Sequence, residues 1–131
     1  VLAGLNTWKR RWVRYEIVRS VLKGNGLLTL DIHNVRDRDQ KVSAAGLDPL
    51  SQIGLYLAEG SIYFAESFDG TWIKYVDYTR PVNSTDLWMP APQSNVVVPL
   101  STYCRRHDFV GDNGRASIAD WIELAAAQAG R

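Results

Sequence analysis

The chain of 131 residues has one cysteine, Cys104, and one methionine, Met89. A lone thiol cannot build a disulfide framework, so a reducing cytoplasm is the expected compartment. No apolar run approaches the roughly 20 residues of a membrane-spanning helix and no signal-peptide pattern is visible, so no membrane partner is expected. A surplus of either charge is missing too: 15 Lys and Arg stand against 14 Asp and Glu. The resulting net charge of +1 excludes a strongly basic nucleic-acid module. There is neither a Gly-rich phosphate loop nor a His-Glu-x-x-His helix. Cys104 and His107 lie three apart, but two ligands do not make a zinc site, and no metal is expected. A Cys104 nucleophile paired with His33 or His107 stays open, although nothing in the spacing favours it.

Aromatics are plentiful: five Trp and six Tyr in a composition that is 46% hydrophobic and 22% charged. That balance describes a globular chain of one ordinary domain with an aromatic core or pocket. Because the chain opens on Val1-Leu2-Ala3-Gly4 rather than on methionine, upstream material is expected to be missing, the opening run being the tail of a buried strand.

Asn6-Thr7 offers a helix cap, and residues 8–23 run without Gly or Pro. Val13, Ile17 and Val21 repeat every four residues as a core stripe, widened by Val18 and Leu22. Gly24-Asn25-Gly26 stops this helix and leads into an almost continuous apolar run at 27–32, a strand covered on both faces. Strand, helix, Gly loop and strand make the βαβ unit of a parallel sheet. Residues 36–41 read as a solvated loop, and Pro49 as the start of a short helix to about 57 with Asp48 as its cap. Two aromatic, β-branched runs at 61–67 and 72–78 flank Asp69-Gly70, a hairpin signal. Residues 81–99 are loop-like with a candidate strand at 96–98, and 102–110 suggests a last strand. Asp112-Asn113-Gly114 precedes a helix at 115–129 whose Ile118, Trp121, Ile122, Ala125, Ala126 and Ala129 form a one-sided packing stripe. Asn83-Ser84-Thr85 matches a glycosylation acceptor that a cytoplasmic chain would not use.

Lys9, Arg10, Arg11 and Arg14 gather at a helix N-terminus, where they could meet a phosphate-bearing ligand or form a solvated face, the second being the commoner outcome. Trp12, Glu16 and Ser20 share one helix face beside the core stripe. Periodicity alone favours a plain surface role for Glu16 over a carboxylate held in a cleft beside an aromatic wall.

Residues 12–17, Trp-Val-Arg-Tyr-Glu-Ile, resemble the W-x-x-x-E core of TIR (Toll/interleukin-1 receptor) domains. Asn6-Thr7-Trp8, Gly24-Asn25-Gly26-Leu27-Leu28 and Ile32-His33-Asn34 extend the likeness to the TIR-like family of bacterial antiphage defence, the group that includes the TIR-like component of Thoeris systems. Asp112-Asn113-Gly114-Arg115 and the residues from Trp121 to Ala126 are similar to the family's closing helix, while 37–99 is unspecific. The resemblance implies an α/β flavodoxin-like fold: a mainly parallel sheet with helices on both faces, here a single domain 1–131 with an added aromatic hairpin. It also implies that the N-terminal strand-helix-strand portion of the domain precedes Val1.

Enzymatic members cleave NAD between nicotinamide and ribose, and the Thoeris type makes a cyclic ADP-ribose-related signal for a partner effector. NAD is then the substrate, no separate cofactor is needed, and a homo-oligomer is the expected assembly. Carried over to this chain, Glu16 matches the catalytic glutamate and Trp12 the aromatic residue one turn before it; Asn6, Trp8 and Ser20 complete the expected substrate-binding set. An alternative is a non-catalytic TIR-like module that self-associates or docks partners, which should tolerate Gln at position 16. A phosphoacceptor or nucleotide-sensing domain would need an acidic cluster at strand ends, and Asp31 alone does not supply it. Whether the 61–78 hairpin lines a pocket, serves assembly or merely packs as an edge stays open.

Overall fold

The computed structural model describes residues 1–131. Its first unit is the expected βαβ: β1 (Leu2–Ala3), α1 (Arg11–Leu22) and β2 (Leu28–Asp31). β2 lies at the centre of a three-stranded parallel sheet, with β1 on one side and β7 (Arg105–Asp108) on the other. Leu2 stands opposite Leu30, and Leu28 opposite Arg105. Side chains alternate across β2. Leu30 and its partner His107 lie on the side of α2 (Gly114–Gln128), where the His107 ring stacks on Trp121 with centroids 4.0 Å apart. Leu27 joins Ile17, Val18 and Val21 of α1 in the core on the other side. Helices thus cover both faces of the parallel sheet, as the flavodoxin-like reading requires.

The remaining strands form a second, antiparallel sheet in the order β5-β4-β3-β6: β3 (Ile53–Ala58), β4 (Ser61–Phe68), β5 (Thr71–Lys74) and β6 (Val98–Pro99). The added hairpin is therefore one arm of a larger unit. Its turn is Asp69-Gly70, with φ of 47° and 78°, and Glu59-Gly60 makes a second turn of the same handedness with φ of 50° and 76°. Positive φ at both central residues matches the twist of paired strands. Leu55 of β3 and Phe64 of β4 meet the α1 stripe in one apolar core that also holds Leu50, Tyr75 and Leu100.

Several boundaries differ from the sequence reading. The helix expected from residue 8 begins at Arg11; Thr7–Lys9 is a separate 3₁₀ turn, because Arg10 is extended at φ −79° and ψ 121°. Asn6 makes no side-chain cap bond; Thr7 Oγ1 instead accepts from the Gly4 N–H at 3.0 Å. The helix expected at 49–57 stops after the 3₁₀ turn Pro49–Gln52, and 53–58 is strand. Asp48 does cap that turn, its Oδ1 accepting from the Leu50 N–H and from the Thr29 hydroxyl at 2.6 Å. The expected last strand, 102–110, is cut to Arg105–Asp108 by the 3₁₀ turn Leu100–Thr102. On α2 only Ala125 of the stripe is buried, and Ile122 is exposed.

Candidate functional site

The sequence places Glu16 in the middle of α1, and the structure shows what that helix presents. At about 100° per residue, Trp12, Glu16 and Ser20 form one stripe, and Ile17 and Val21 a buried one beside it. Ser20 is half-buried, while Glu16 and Trp12 are exposed, Trp12 at 68%. The Trp12 ring stacks on Tyr15 with centroids 5.7 Å apart, so the aromatic neighbour lies along the helix surface rather than closing over the carboxylate. Glu16 accepts no side-chain hydrogen bond and joins no ion pair in this structure. The stripe therefore unites three of the five expected site residues on an open surface. Asn6, also exposed, sits before the 3₁₀ turn at Thr7–Lys9.

Trp8 lies elsewhere. It lines a cleft of about 750 Å³ between the 3₁₀ turn with the start of α1 and the turn end of the β4–β5 hairpin. Arg11 and Arg14 face the same cleft. Arg11 forms a bidentate ion pair with Asp77, and the guanidinium holds the Asp77 carboxyl below the usual carboxylate range. The buried Arg14 donates from Nη1 to Glu66 Oε2 at 2.9 Å. Tyr75 is fully buried close to Asp77 and Glu66, and burial first, then those carboxylates, pushes its hydroxyl up to about 12. Within the basic cluster, Arg14 thus ties α1 to β4, while Arg11, its side chain 80% exposed, makes a surface pair with Asp77 in the turn beyond β5. Glu66 and Asp77 escaped sequence reasoning: their arginine partners are 52 and 66 residues away in the chain. A carboxylate placed mid-strand, at Ser61–Phe68, was the only hint.

A second polar corner sits at the carboxyl ends of β2 and β7, where open α/β sheets bind ligands. It joins two of the segments singled out in the sequence. Asn34 Nδ2 donates to Asp108 Oδ2 at 2.8 Å, and His33 Nε2 lies 4.0 Å from the same oxygen. Asp108 Oδ1 accepts from the Val110 and Gly111 N–H groups, and Asp112 accepts from the Asp108 N–H. These donors, the Gly111 N–H foremost, hold the Asp108 carboxyl below its ordinary value. Two residues earlier on β7, Arg106 makes a bidentate pair with Asp31 of β2 at 2.7 and 2.9 Å. The corner organises the loop into α2.

Burial, helped by the Asp48 carboxylate, pushes the Cys104 thiol up to about 12, so the thiolate is absent at neutral pH. His107 is committed to Trp121.

Comparison with known proteins places these observations. The family profile described as "Thoeris protein ThsB, TIR-like domain" matches residues 1–37. That segment covers β1, α1 and β2, and it contains Asn6, Trp8, Trp12, Glu16 and Ser20. A protein of Bacillus cereus (strain MSX-D12) carrying the name "Putative cyclic ADP-D-ribose synthase ThsB1" is 32% identical over 126 residues. The likeness takes in 93% of this chain and 64% of that protein, so the chain spans a little under two thirds of its relative's length.

Proposed function

The chain belongs to the TIR-like family of Thoeris ThsB proteins, and from that premise we propose that it serves an NAD-consuming activity with Glu16 as the catalytic carboxylate. In this reading the nicotinamide–ribosyl bond of NAD is cleaved and the ADP-ribosyl part closes on itself, giving a cyclic ADP-ribose-type signal for an effector protein. The observation that carries the reading is the 126-residue likeness to a protein named for that product, with Glu16 inside the family-matched segment.

The chemistry suits a carboxylate. Nicotinamide departs as a neutral pyridine and needs no general acid, so the barrier lies in the positive charge that builds on the ribose. A fixed anion near the anomeric carbon stabilises that charge and can hold the ribose hydroxyls by charge-assisted hydrogen bonds. Trp12, one turn earlier on the same stripe, offers a flat apolar surface against which a ring can lie. Ser20, half-buried one turn later, supplies a hydroxyl beside the carboxylate, and Asn6 an amide near the entry to α1.

The test is chromatography of NAD incubated with the protein and with Glu16→Gln. Free nicotinamide from the wild type that disappears in the variant is the expected result, and the second product separates cyclisation from hydrolysis. Turnover unchanged by Glu16→Gln would remove the assignment. A second reading, a docking module without catalysis, draws on the exposure of Trp12 and Glu16. It predicts no turnover in either protein, and self-association that Trp12→Ala weakens and Glu16→Gln leaves intact.

A further inference from the structure

The cleft beside Trp8 is a different place from the Glu16 stripe. Counting along α1, Glu16 is rotated by about 140° from Arg11 and about 160° from Arg14, the two α1 residues that face the cleft. Nothing in the Glu16 chemistry uses this cavity, yet its volume of about 750 Å³ is that of a small-molecule site.

Its walls are specific. The 3₁₀ turn contributes the half-buried indole of Trp8, and the hairpin contributes the ring of Phe68, 62% exposed although large and apolar. Two aromatic surfaces, one from each side, suit a planar heteroaromatic ring. The charges are equally selective. Arg11 and Arg14 are consumed by Asp77 and Glu66, which leaves Lys9 as the lining cation without an ion pair. That single ammonium can form a charge-assisted hydrogen bond to one phosphate oxygen. Ser67 and Asp69 on the hairpin and Gln52 at the end of the 3₁₀ turn Pro49–Gln52 supply hydroxyl, carboxylate and amide groups for a vicinal diol. Asp69 also works against a longer phosphate chain.

We infer that this cleft binds a nucleoside monophosphate, its base between Trp8 and Phe68, its phosphate on Lys9 and its ribose toward Ser67 and Asp69. Arg14 in the cleft wall bonds both Glu66 of β4 and the Trp8 carbonyl, the latter at 3.4 Å, which holds the 3₁₀ turn and the hairpin strand to the same side chain before a ligand arrives.

Isothermal titration with AMP, adenosine and inorganic phosphate tests the site. Saturable AMP binding is expected, tighter than adenosine, with ATP no tighter than AMP and phosphate alone not retained. Phe68→Ala should weaken AMP about tenfold through lost stacking. Lys9→Gln should bring AMP down to the affinity of adenosine. Both side chains are exposed, so the variants keep the fold, which their unfolding curves verify. Glu16→Gln should leave AMP affinity unchanged, so failure of NAD cleavage and failure of this site are read separately. No saturable AMP binding at millimolar concentration overturns the inference. So does AMP binding that Phe68→Ala and Lys9→Gln both leave intact, or phosphate binding as tight as AMP.

Discussion

Arg14 carries an internal charge on an otherwise apolar side of α1, and it is tolerable only because Glu66 meets it. Removing one partner of a buried pair leaves the other desolvated and unpaired, which costs more than the pair contributes. Glu66→Gln should therefore destabilise the chain by about 2–3 kcal/mol in denaturant unfolding. Replacing both residues together, as Arg14→Met with Glu66→Leu, should recover most of that loss. If the single and double variants lose equally, the pair is not the source. Cys104 gives a second expectation, in pH. Its thiol titrates near 12 in the folded chain against about 8.5 in an unfolded one. The folded state keeps the proton longer, so this group's contribution is complete below about pH 8.5 and is lost as pH rises toward the folded value. Alkylation by iodoacetamide should accordingly stay slow at pH 8 unless denaturant is added, and fast labelling of the native chain would contradict the raised thiol of the half-buried Cys104.

Two glycines set the elements at their distances for opposite reasons. At Gly26, before β2, an added Cβ would lie 1.9 Å from the Ala125 carbonyl oxygen, so α2 rests directly on this loop. At Gly70 the space is empty, but φ is +78°. Gly26→Ala should displace α2 and cost about 3 kcal/mol or more, with loss of the His107–Trp121 stack. Gly70→Ala should cost only about 1 kcal/mol, through backbone strain. Equal losses in thermal unfolding would show that steric overlap at α2 is not what Gly26 avoids. The same contrast explains what the sequence could reveal. The α1 stripe, the Gly24 stop and the Asp69-Gly70 turn rest on local periodicity and local backbone chemistry, and all are present. Residues 53–58, Ile-Gly-Leu-Tyr-Leu-Ala, are apolar without a period, so a capped Pro49 was enough to suggest helix where β4 pairing imposes strand. Glu59-Gly60 was illegible as a turn because glutamate seldom takes positive φ. Trp8 and Glu16 are eight residues apart in one helical run on paper; the extended backbone at Arg10 sends Trp8 into the cleft instead.

At the scale of the molecule, α1 joins two sheets of different construction. Its buried stripe meets β3 and β4 in one core, and Arg14 fastens it to β4 from the charged side. β2 is fastened in turn by Thr29 to Asp48 and by Asp31 to Arg106. No helix of the structure is long and apolar enough to cross a membrane. The pairing of β2 with β7 encloses residues 32–104, and the whole antiparallel sheet is built inside that excursion. Strands β3, β4 and β5 are joined by tight turns, whereas β7 must return to β2 from far along the chain. Because closing a long flexible loop costs entropy before its contacts form, the local meander is expected to assemble first and shorten the effective loop that β7 must close. In pulsed amide exchange during refolding, the Tyr75 N–H, bonded to Phe64, should then gain protection ahead of the Phe109 N–H, bonded to Asp31. The reverse order would mean that the parallel sheet nucleates the chain. If the meander leads, α1 takes its final tilt early, against a sheet that already exists, and the polar corner where β2 meets β7 is completed last, by the slowest long-range closure.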